Sequence, residues 1–165
     1  QLSPWIKEEI RSALDSIAVP RPLYSIHVRL GDKWKEMQLL DLDAYLKKSL
    51  PVMLAYGVKN VFLSTEDGDV VKNALTNYSS INWIFTEQER RNPNFQEFMA
   101  GNRTAQFVQD MKNLYIAAEA DFFVGARQSN WCRLIDEIQK GNGLGGTYYL
   151  DVHGHLERSG AYTNW

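Results

Sequence analysis

The fold of this chain is indicated by a short apolar stretch, Asn60-Val61-Phe62-Leu63-Ser64, which is followed at once by Thr65-Glu66-Asp67. An apolar run of this length, without polar alternation, is typical of a strand that is buried on both faces. Asp67 is suited to cap a helix, which we expect to extend to about Leu75. A buried strand that leads directly into a helix is the repeating unit of a parallel α/β sheet.

The same unit recurs on both sides of this stretch. Strands are predicted at residues 23–29, 60–64, 81–85, 121–125 and 148–152, and helices at residues 4–16, 41–57, 67–75, 103–118 and 129–139. Residues 153–165 show no clear period. Strands that alternate with helices predict an α/β fold, here a Rossmann-like, doubly wound and mostly parallel sheet of about five strands with helices on both faces.

Length and composition restrict the classes of function. The 165 residues, 44% hydrophobic and 23% charged, fit one globular domain over residues 1–165 and exclude a disordered chain. With 18 basic and 20 acidic residues the net charge is −2, so no nucleic-acid partner is expected. The sequence contains no apolar run of membrane-spanning length, so no membrane contact by this domain is expected.

Cys132, the one cysteine, cannot form an internal disulfide. The sequence does not begin with Met, and its first predicted helix begins already at residue 4. We therefore expect that it is a fragment of a longer chain.

Polar residues collect where the predicted strands end. In doubly wound sheets, ligands bind beyond the carboxyl ends of the strands, and residues 27–33, 64–67 and 125–130 fall there. The last group joins a strand to a helix, so its backbone N–H groups and the Ser129 hydroxyl are suited to bind a phosphate. A simple helix cap beside an exposed arginine explains the same residues equally well.

Arg29 follows the first predicted strand. A guanidinium is costly to place there unless it meets an anion, and its planar fork matches a phosphate. An ion pair with Asp32 or Glu66 has equal weight, since structural ion pairs are common at such positions.

Three other patterns are interpreted as structural. The glycines of residues 141–146 follow a helix and precede a strand, the reverse of the order that a dinucleotide-binding motif requires, so they indicate a helix end and a turn. His153 and His155 lack further ligands for a metal. Asp41 and Asp43 lie where a helix begins and are assigned to capping. No metal site is therefore expected.

Three motifs in order resemble one family. They are His-Val-Arg-Leu-Gly-Asp-Lys at 27–33, Phe-Leu-Ser-Thr-Glu-Asp at 62–67, and residues 120–125 continued by Ser-Asn-Trp-Cys-Arg at 129–133. Together, over about residues 20–140, they resemble the carboxy-terminal, donor-binding domain of fucosyltransferases related to core α1,6-fucosyltransferase and the rhizobial chitin-oligosaccharide enzymes. The protein O-fucosyltransferases share the first motif more loosely.

The resemblance implies one lobe of a GT-B enzyme, in which two Rossmann-like domains enclose the active site. It implies an inverting reaction that needs no metal or other cofactor, with GDP-fucose as the donor and a glycan or glycoprotein as the acceptor. The amino-terminal lobe of the same chain would complete the cleft, so the isolated domain is expected to be inactive. The location implied is the Golgi or another part of the secretory lumen.

The resemblance also assigns roles to residues. Arg29 would grip the donor phosphates, His27 would lie beside the guanine, and Ser129 would contact phosphate. Asp32 and Lys33 complete the first motif, and Lys33 would help Arg29 to stabilise the leaving diphosphate. The other donor-binding positions are Glu66, Asp67, Asn113 and Asn130.

The chain departs from the family at several positions. Leu30 replaces a second arginine, and Asn113 replaces an aspartate that reads guanine. The acid that activates the acceptor is expected where Met37 stands, so we assign the general base to Glu36, one residue earlier. In the last motif Asn130 replaces a glutamine.

Three further expectations concern the long loop and the alternatives to an enzyme. The long loop is the polar segment of residues 86–103, and its arginines Arg90, Arg91 and Arg103 are candidates to close over the donor. The alternative function is a degenerate nucleotide- or glycan-binding module without catalytic activity. A third possibility is an α/β interaction domain without a ligand.

Overall fold

The computed structural model describes residues 2–35, 37–88, 90, 102–143, 148–154 and 156–158. Its helices are α1 (Pro4–Ile17), α2 (Leu42–Tyr56), α3 (Gly68–Asn77), α4 (Arg103–Ala118) and α5 (Asn130–Gly141). Its strands are β1 (Leu23–His27), β2 (Asn60–Ser64), β3 (Asn82–Ile84), β4 (Phe122–Gly125), β5 (Tyr148–Asp151) and β6 (Leu156–Arg158), and a 3-10 turn spans Gly31–Lys35.

The strands form one sheet in the order β3-β2-β1-β4-β5-β6. The pairs from β3 through β5 are parallel, while β6 pairs with β5 in the antiparallel direction. The predicted Rossmann-like α/β fold is therefore confirmed. The prediction for residues 153–165 was incomplete, because Leu156–Arg158 add a short edge strand that has no apolar run of its own.

Helices cover both faces of the sheet, as predicted. Because successive strand residues point to opposite faces, Tyr24 and Phe122 pack with α2 and α3, whereas Leu23 and Phe123 pack with α1, α4 and α5. The four central positions Ile26, Phe62, Phe123 and Val124 are fully buried. The two apolar layers hold the strands so that the carboxyl ends of β1, β2 and β4 meet at one edge.

Helix ends follow the predicted capping residues in part. The side chain of Asp41 accepts the Ala44 N–H at 3.0 Å, and that of Asp67 accepts the Asp69 N–H at 2.8 Å, which confirms both as caps. Ser3 and Ser129 occupy the N-cap positions of α1 and α5, but neither side chain forms a capping hydrogen bond. The α5 helix ends at Gly141, and the prediction of a helix end there is confirmed.

A polar contact closes the amino-terminal edge of the sheet, opposite the predicted site. The Arg21 guanidinium donates to Asp121 at 2.9 Å, and the other oxygen of Asp121 accepts the Leu23 N–H at 2.8 Å. Leu23 in turn accepts the Asp121 N–H at 2.9 Å. These bonds tie the starts of β1 and β4 together and so help to set their register.

Candidate functional site

The site lies at the carboxyl edge, where the chain order reverses. The β1–β2–β3 half extends to one side and β4 begins the other, so β1 and β4 are the neighbours at the topological switch point. In open α/β sheets a ligand binds in the crevice beyond such neighbouring strands. His27 ends β1, Ser64 ends β2, and Gly125 ends β4.

His27 is buried at the end of β1 and is bonded to the neighbouring strand. Its Nδ1 lies 3.2 Å from the hydroxyl of Ser64, with which it is in register. Its ring centroid is 6.5 Å from that of Trp131 on α5. The other ring nitrogen, Nε2, is buried and has no hydrogen-bond partner in the described part of the chain. Burial, and then the charge of Arg29, lower the pKa of His27 to about 3, so its ring is neutral at physiological pH.

This neutral ring makes stability depend on pH. The pKa of His27 is 6.5 in the unfolded chain and about 3 in the folded one, so the folded state binds fewer protons below pH 6.5. The contribution of the neutral His27 ring to the free energy of unfolding is therefore fully present above that pH. It declines as the pH falls, by about 2 kcal/mol between pH 7 and pH 5.

Urea unfolding of the wild type and of His27→Gln across this range measures the effect. The variant lacks the ionisable ring, so its stability is expected to fall by about 2 kcal/mol less over the same interval. Most carboxylates titrate below this range, and the comparison cancels those that do not. Parallel pH profiles for the two proteins would contradict the assignment.

Arg29 lies just beyond β1 and forms an ion pair with a carboxylate. Its guanidinium contacts the carboxylate of Glu66, which follows β2, so one of the two ion pairs left open by the sequence is present. The side chain of Asp32, the other candidate, lies outside the described residues. The charge of Arg29 also reaches Asp110 on α4, where it offsets part of the rise in pKa that burial causes. The Arg29 side chain is 22% exposed and that of Glu66 53%. The cation is thus oriented at the site edge and remains partly accessible.

Ser129 lies where α5 begins, as predicted. It is buried, and its N–H closes the turn to the Ala126 carbonyl at 2.9 Å. Nearby on α5, burial raises the pKa of the Cys132 thiol to about 12. The Ser129 hydroxyl does not cap the helix. The first-turn N–H groups of α5 are therefore not occupied by a Ser129 cap, and helix N-termini of this kind favour anions.

The β4–α5 loop is also held from β5. Asp151 accepts the backbone N–H of Arg127 at 3.2 Å and that of His153 at 3.2 Å through the same oxygen. Asp151 was not among the residues predicted from the sequence. Its position at the end of a predicted strand was the available signal.

The side chains of Asp67 and Asn130 form hydrogen bonds with residues close to them in the sequence. Asp67 caps α3, and the Asn130 side-chain oxygen accepts from Arg133 on the exposed side of α5. Both lie near the expected edge, and these side-chain contacts do not include His27. Their assignment to donor binding remains a prediction.

Asn113 lies in a polar network that the sequence analysis missed. Its Oδ1 accepts from the Thr86 hydroxyl at 2.6 Å, and its Nδ2 donates to Gln88 at 2.8 Å. Gln88 in turn donates to the Thr65 carbonyl at 3.2 Å, beyond β2. Asn113 thus joins α4 to the segment after β3, and both polar atoms of its amide have partners.

Two of the three candidate arginines, Arg90 and Arg103, are among the described residues. Arg90 donates to the carbonyl of Thr86 at 2.7 Å and lies over the Phe85 ring, while Arg103 is the exposed first residue of α4. Arg91, Glu36 and the side chains of Asp32 and Lys33 lie outside the described residues. Their predicted roles are therefore retained only as proposals.

The described ranges contain no cluster of three or more His, Cys, Asp or Glu side chains suited to a metal ion. None of the helices described is both long and apolar enough to cross a bilayer.

The fold is that of a Rossmann-like α/β domain present in known fucosyltransferase structures. POFUT1 in complex with GDP superposes with a TM-score of 0.57 at 15% identity, over 91% of this chain and 47% of that chain. NodZ alpha-1,6-fucosyltransferase soaked with GDP-fucose gives a TM-score of 0.58 at 14% identity, over 95% of this chain and 48% of that chain. A third structure, POFUT1 with GDP-fucose, matches with a TM-score of 0.56 at 15% identity.

This chain spans about half the length of those structures. No protein-family model matches its sequence. At such identities the similarity establishes the fold, which agrees with the resemblance based on the three motifs. The function must be argued from the site.

Proposed function

We propose that this chain is the donor-binding lobe of a glycosyltransferase that uses GDP-fucose. The observation on which the proposal chiefly rests is the meeting of His27, Arg29 and the start of α5 at the β1/β4 switch point. The fold supports it, because the similar structures of POFUT1 and NodZ were determined with GDP or GDP-fucose.

Each part of the proposed site suits one part of a nucleoside diphosphate sugar. Arg29 would form charge-assisted hydrogen bonds to phosphate oxygens, and the first turn of α5 would supply backbone N–H groups. His27 is neutral and would interact by hydrogen bonding rather than by charge. Ser129, at the helix start, would add a hydroxyl contact.

The proposed reaction is an inverting transfer. An acceptor hydroxyl attacks the anomeric carbon of fucose while the bond to the β-phosphate of GDP breaks, and GDP leaves with the electron pair. Arg29, the α5 start and Lys33 would stabilise the charge that develops on this phosphate. Glu36 would accept the proton of the attacking hydroxyl.

The acceptor and the second lobe belong to the same proposal. A glycan or glycoprotein acceptor, an amino-terminal lobe and a location in the secretory lumen are what the resemblance implies. Since the chain spans about half of each similar structure, we expect these 165 residues alone to bind donor but not to transfer fucose.

Isothermal titration of the chain with GDP, GDP-fucose, GDP-mannose and UDP, with and without EDTA, tests the proposal. GDP and GDP-fucose are expected to bind at least about tenfold more tightly than UDP, a difference of about 1.4 kcal/mol. EDTA is expected to leave these affinities unchanged, because the cations of the proposed site belong to the protein. Equal binding of UDP and GDP, or binding that EDTA abolishes, would contradict the assignment.

Leu30, which stands where the family has a second arginine, and the shift of the expected acid to Glu36 favour one alternative, a nucleotide- or glycan-binding module without catalytic activity. Transfer assays on the full-length protein, comparing the wild type with Glu36→Gln, separate the two functions. Loss of transfer in the variant with unchanged GDP affinity supports the enzyme. Normal donor binding with no transfer by either protein supports the binding module.

A further inference from the structure

Ser64 and His27 share a buried hydrogen bond, and the direction of this bond decides which ring nitrogen of the histidine carries the proton. The two residues are partners in the parallel β1–β2 register, and Oγ of Ser64 lies 3.2 Å from Nδ1 of His27. Both side chains are buried, with 5% and 6% of their surface exposed. Neither group can therefore exchange this partner for bulk water without a movement of the strands.

The hydroxyl group of Ser64 is expected to be the donor in this bond, because its proton needs an acceptor. A buried hydroxyl needs an acceptor for its proton. In the part of the chain that the structure describes, Nδ1 of His27 is the side-chain atom bonded to Ser64 Oγ. If Ser64 donates, Nδ1 is unprotonated, and the single proton of the neutral ring must be on Nε2.

This proton position leaves an unpaired donor on the residue that ends β1. Nε2 is buried and has no hydrogen-bond partner among the described residues. An unpaired buried N–H is costly, and native proteins rarely retain one without a reason. A ligand acceptor atom would satisfy it.

We propose that Ser64 is a positioning residue that fixes His27 in the Nε2–H tautomer, so that Nε2 donates to an acceptor atom of the bound nucleoside diphosphate. The ligand in this inference rests on the proposed function. The acceptor is a phosphate oxygen or a base carbonyl or ring nitrogen, which share the ability to accept from a neutral N–H. The low pKa of His27 is consistent with a neutral ring.

The chain offers a matched control for this role. Ser25 lies on β1, two residues before His27, and is fully buried, yet its Oγ has no hydrogen-bond partner in the described regions. Ser25→Ala and Ser64→Ala therefore remove the same atom from neighbouring buried positions. Only the second removes a hydrogen bond to the imidazole.

Long-range proton–nitrogen NMR of the imidazoles, in wild type and variants, reads the tautomer directly. The wild type and Ser25→Ala are expected to show His27 with unprotonated Nδ1 and protonated Nε2. Ser64→Ala is expected to give mixed tautomers and about three- to tenfold weaker GDP binding. Ser64→Thr keeps the hydroxyl and is expected to show the wild-type tautomer and the wild-type affinity for GDP.

Separate additions of GDP, guanosine and inorganic pyrophosphate identify the acceptor. GDP is expected to shift the Nε2–H resonance. A matching shift with guanosine assigns the acceptor to the base, and one with pyrophosphate assigns it to the phosphates.

The outcomes distinguish this inference from the proposed function. A wild-type Nδ1–H tautomer, or an Nε2–H signal unmoved by GDP that binds, would overturn the role of Ser64 and leave GDP binding intact. An unchanged tautomer in Ser64→Ala would overturn it as well. A folded wild type that does not bind GDP would overturn the proposed function and, with it, the ligand assigned to Nε2.

Discussion

Replacement of Arg29 by alanine is expected to weaken GDP binding by about 100-fold, which corresponds to about 2.7 kcal/mol. Hydrogen bonds from a guanidinium to phosphate are charge-assisted, and one or two of them account for a loss of this size. The same change is expected to lower the free energy of unfolding by no more than about 1 kcal/mol. The reason is that Glu66, its ion-pair partner, is 53% exposed, and exposed pairs contribute little.

Arg21 provides the matched control. It also forms ion pairs, with Glu119 and Asp121, but at the opposite edge of the sheet. Arg21→Ala is therefore expected to alter stability slightly and GDP affinity not at all, as measured by titration and urea unfolding of the same preparations. Normal GDP binding by a destabilised Arg29→Ala protein would show that Arg29 has a structural role only.

Replacement of Gly125 by alanine is expected to lower the free energy of unfolding by about 3 kcal/mol, because a tightly packed core does not accommodate an extra methyl group. A Cβ at this position would lie 2.5 Å from Cys132 Sγ and 2.8 Å from Phe123 Cζ. Both of those side chains are fully buried, so neither can move aside without disturbing α5 or β4. Since β4 and α5 adjoin the site, weaker GDP binding is expected as well.

Two variants make the test of Gly125→Ala specific. Gly141, the last residue of α5, has nothing within 4 Å of an added Cβ, so Gly141→Ala is expected to change stability by less than about 1 kcal/mol. Combining Gly125→Ala with Cys132→Ala removes the closer contact and is expected to restore part of the lost stability. Urea unfolding that shows equal effects at the two glycines would rule out close packing as the cause.

Much of the fold could be predicted because its signals are local. The apolar run Asn60–Ser64 has the same bounds in the sequence prediction and in the structure, and α4 does as well. Such segments contain their own burial pattern, and their ends contain capping or turn residues. The edge strand Leu156–Arg158 was missed because three residues give no period, and its pairing depends on β5.

The sequence predicted which strand ends form the site, but it did not predict which side chains touch there. Parallel topology places His27, Ser64 and Gly125 at one edge, but which side chains touch depends on register between segments distant in sequence. The Ser64–His27 bond spans 37 residues, and the Thr86–Asn113 bond spans 27. For the same reason, the sequence left the partner of Arg29 open between Asp32 and Glu66.

The contact between Arg29 and Glu66 has a consequence for the proposed function. The carboxylate acts as a counter-ion that the protein itself supplies, so the guanidinium is already neutralised and already oriented before a diphosphate arrives. Binding would then be an exchange of one anion for another and would release few ions from solution. Affinity would depend less steeply on ionic strength than at a site of equal charge without a carboxylate, and selection would depend on how many oxygens the incoming anion presents.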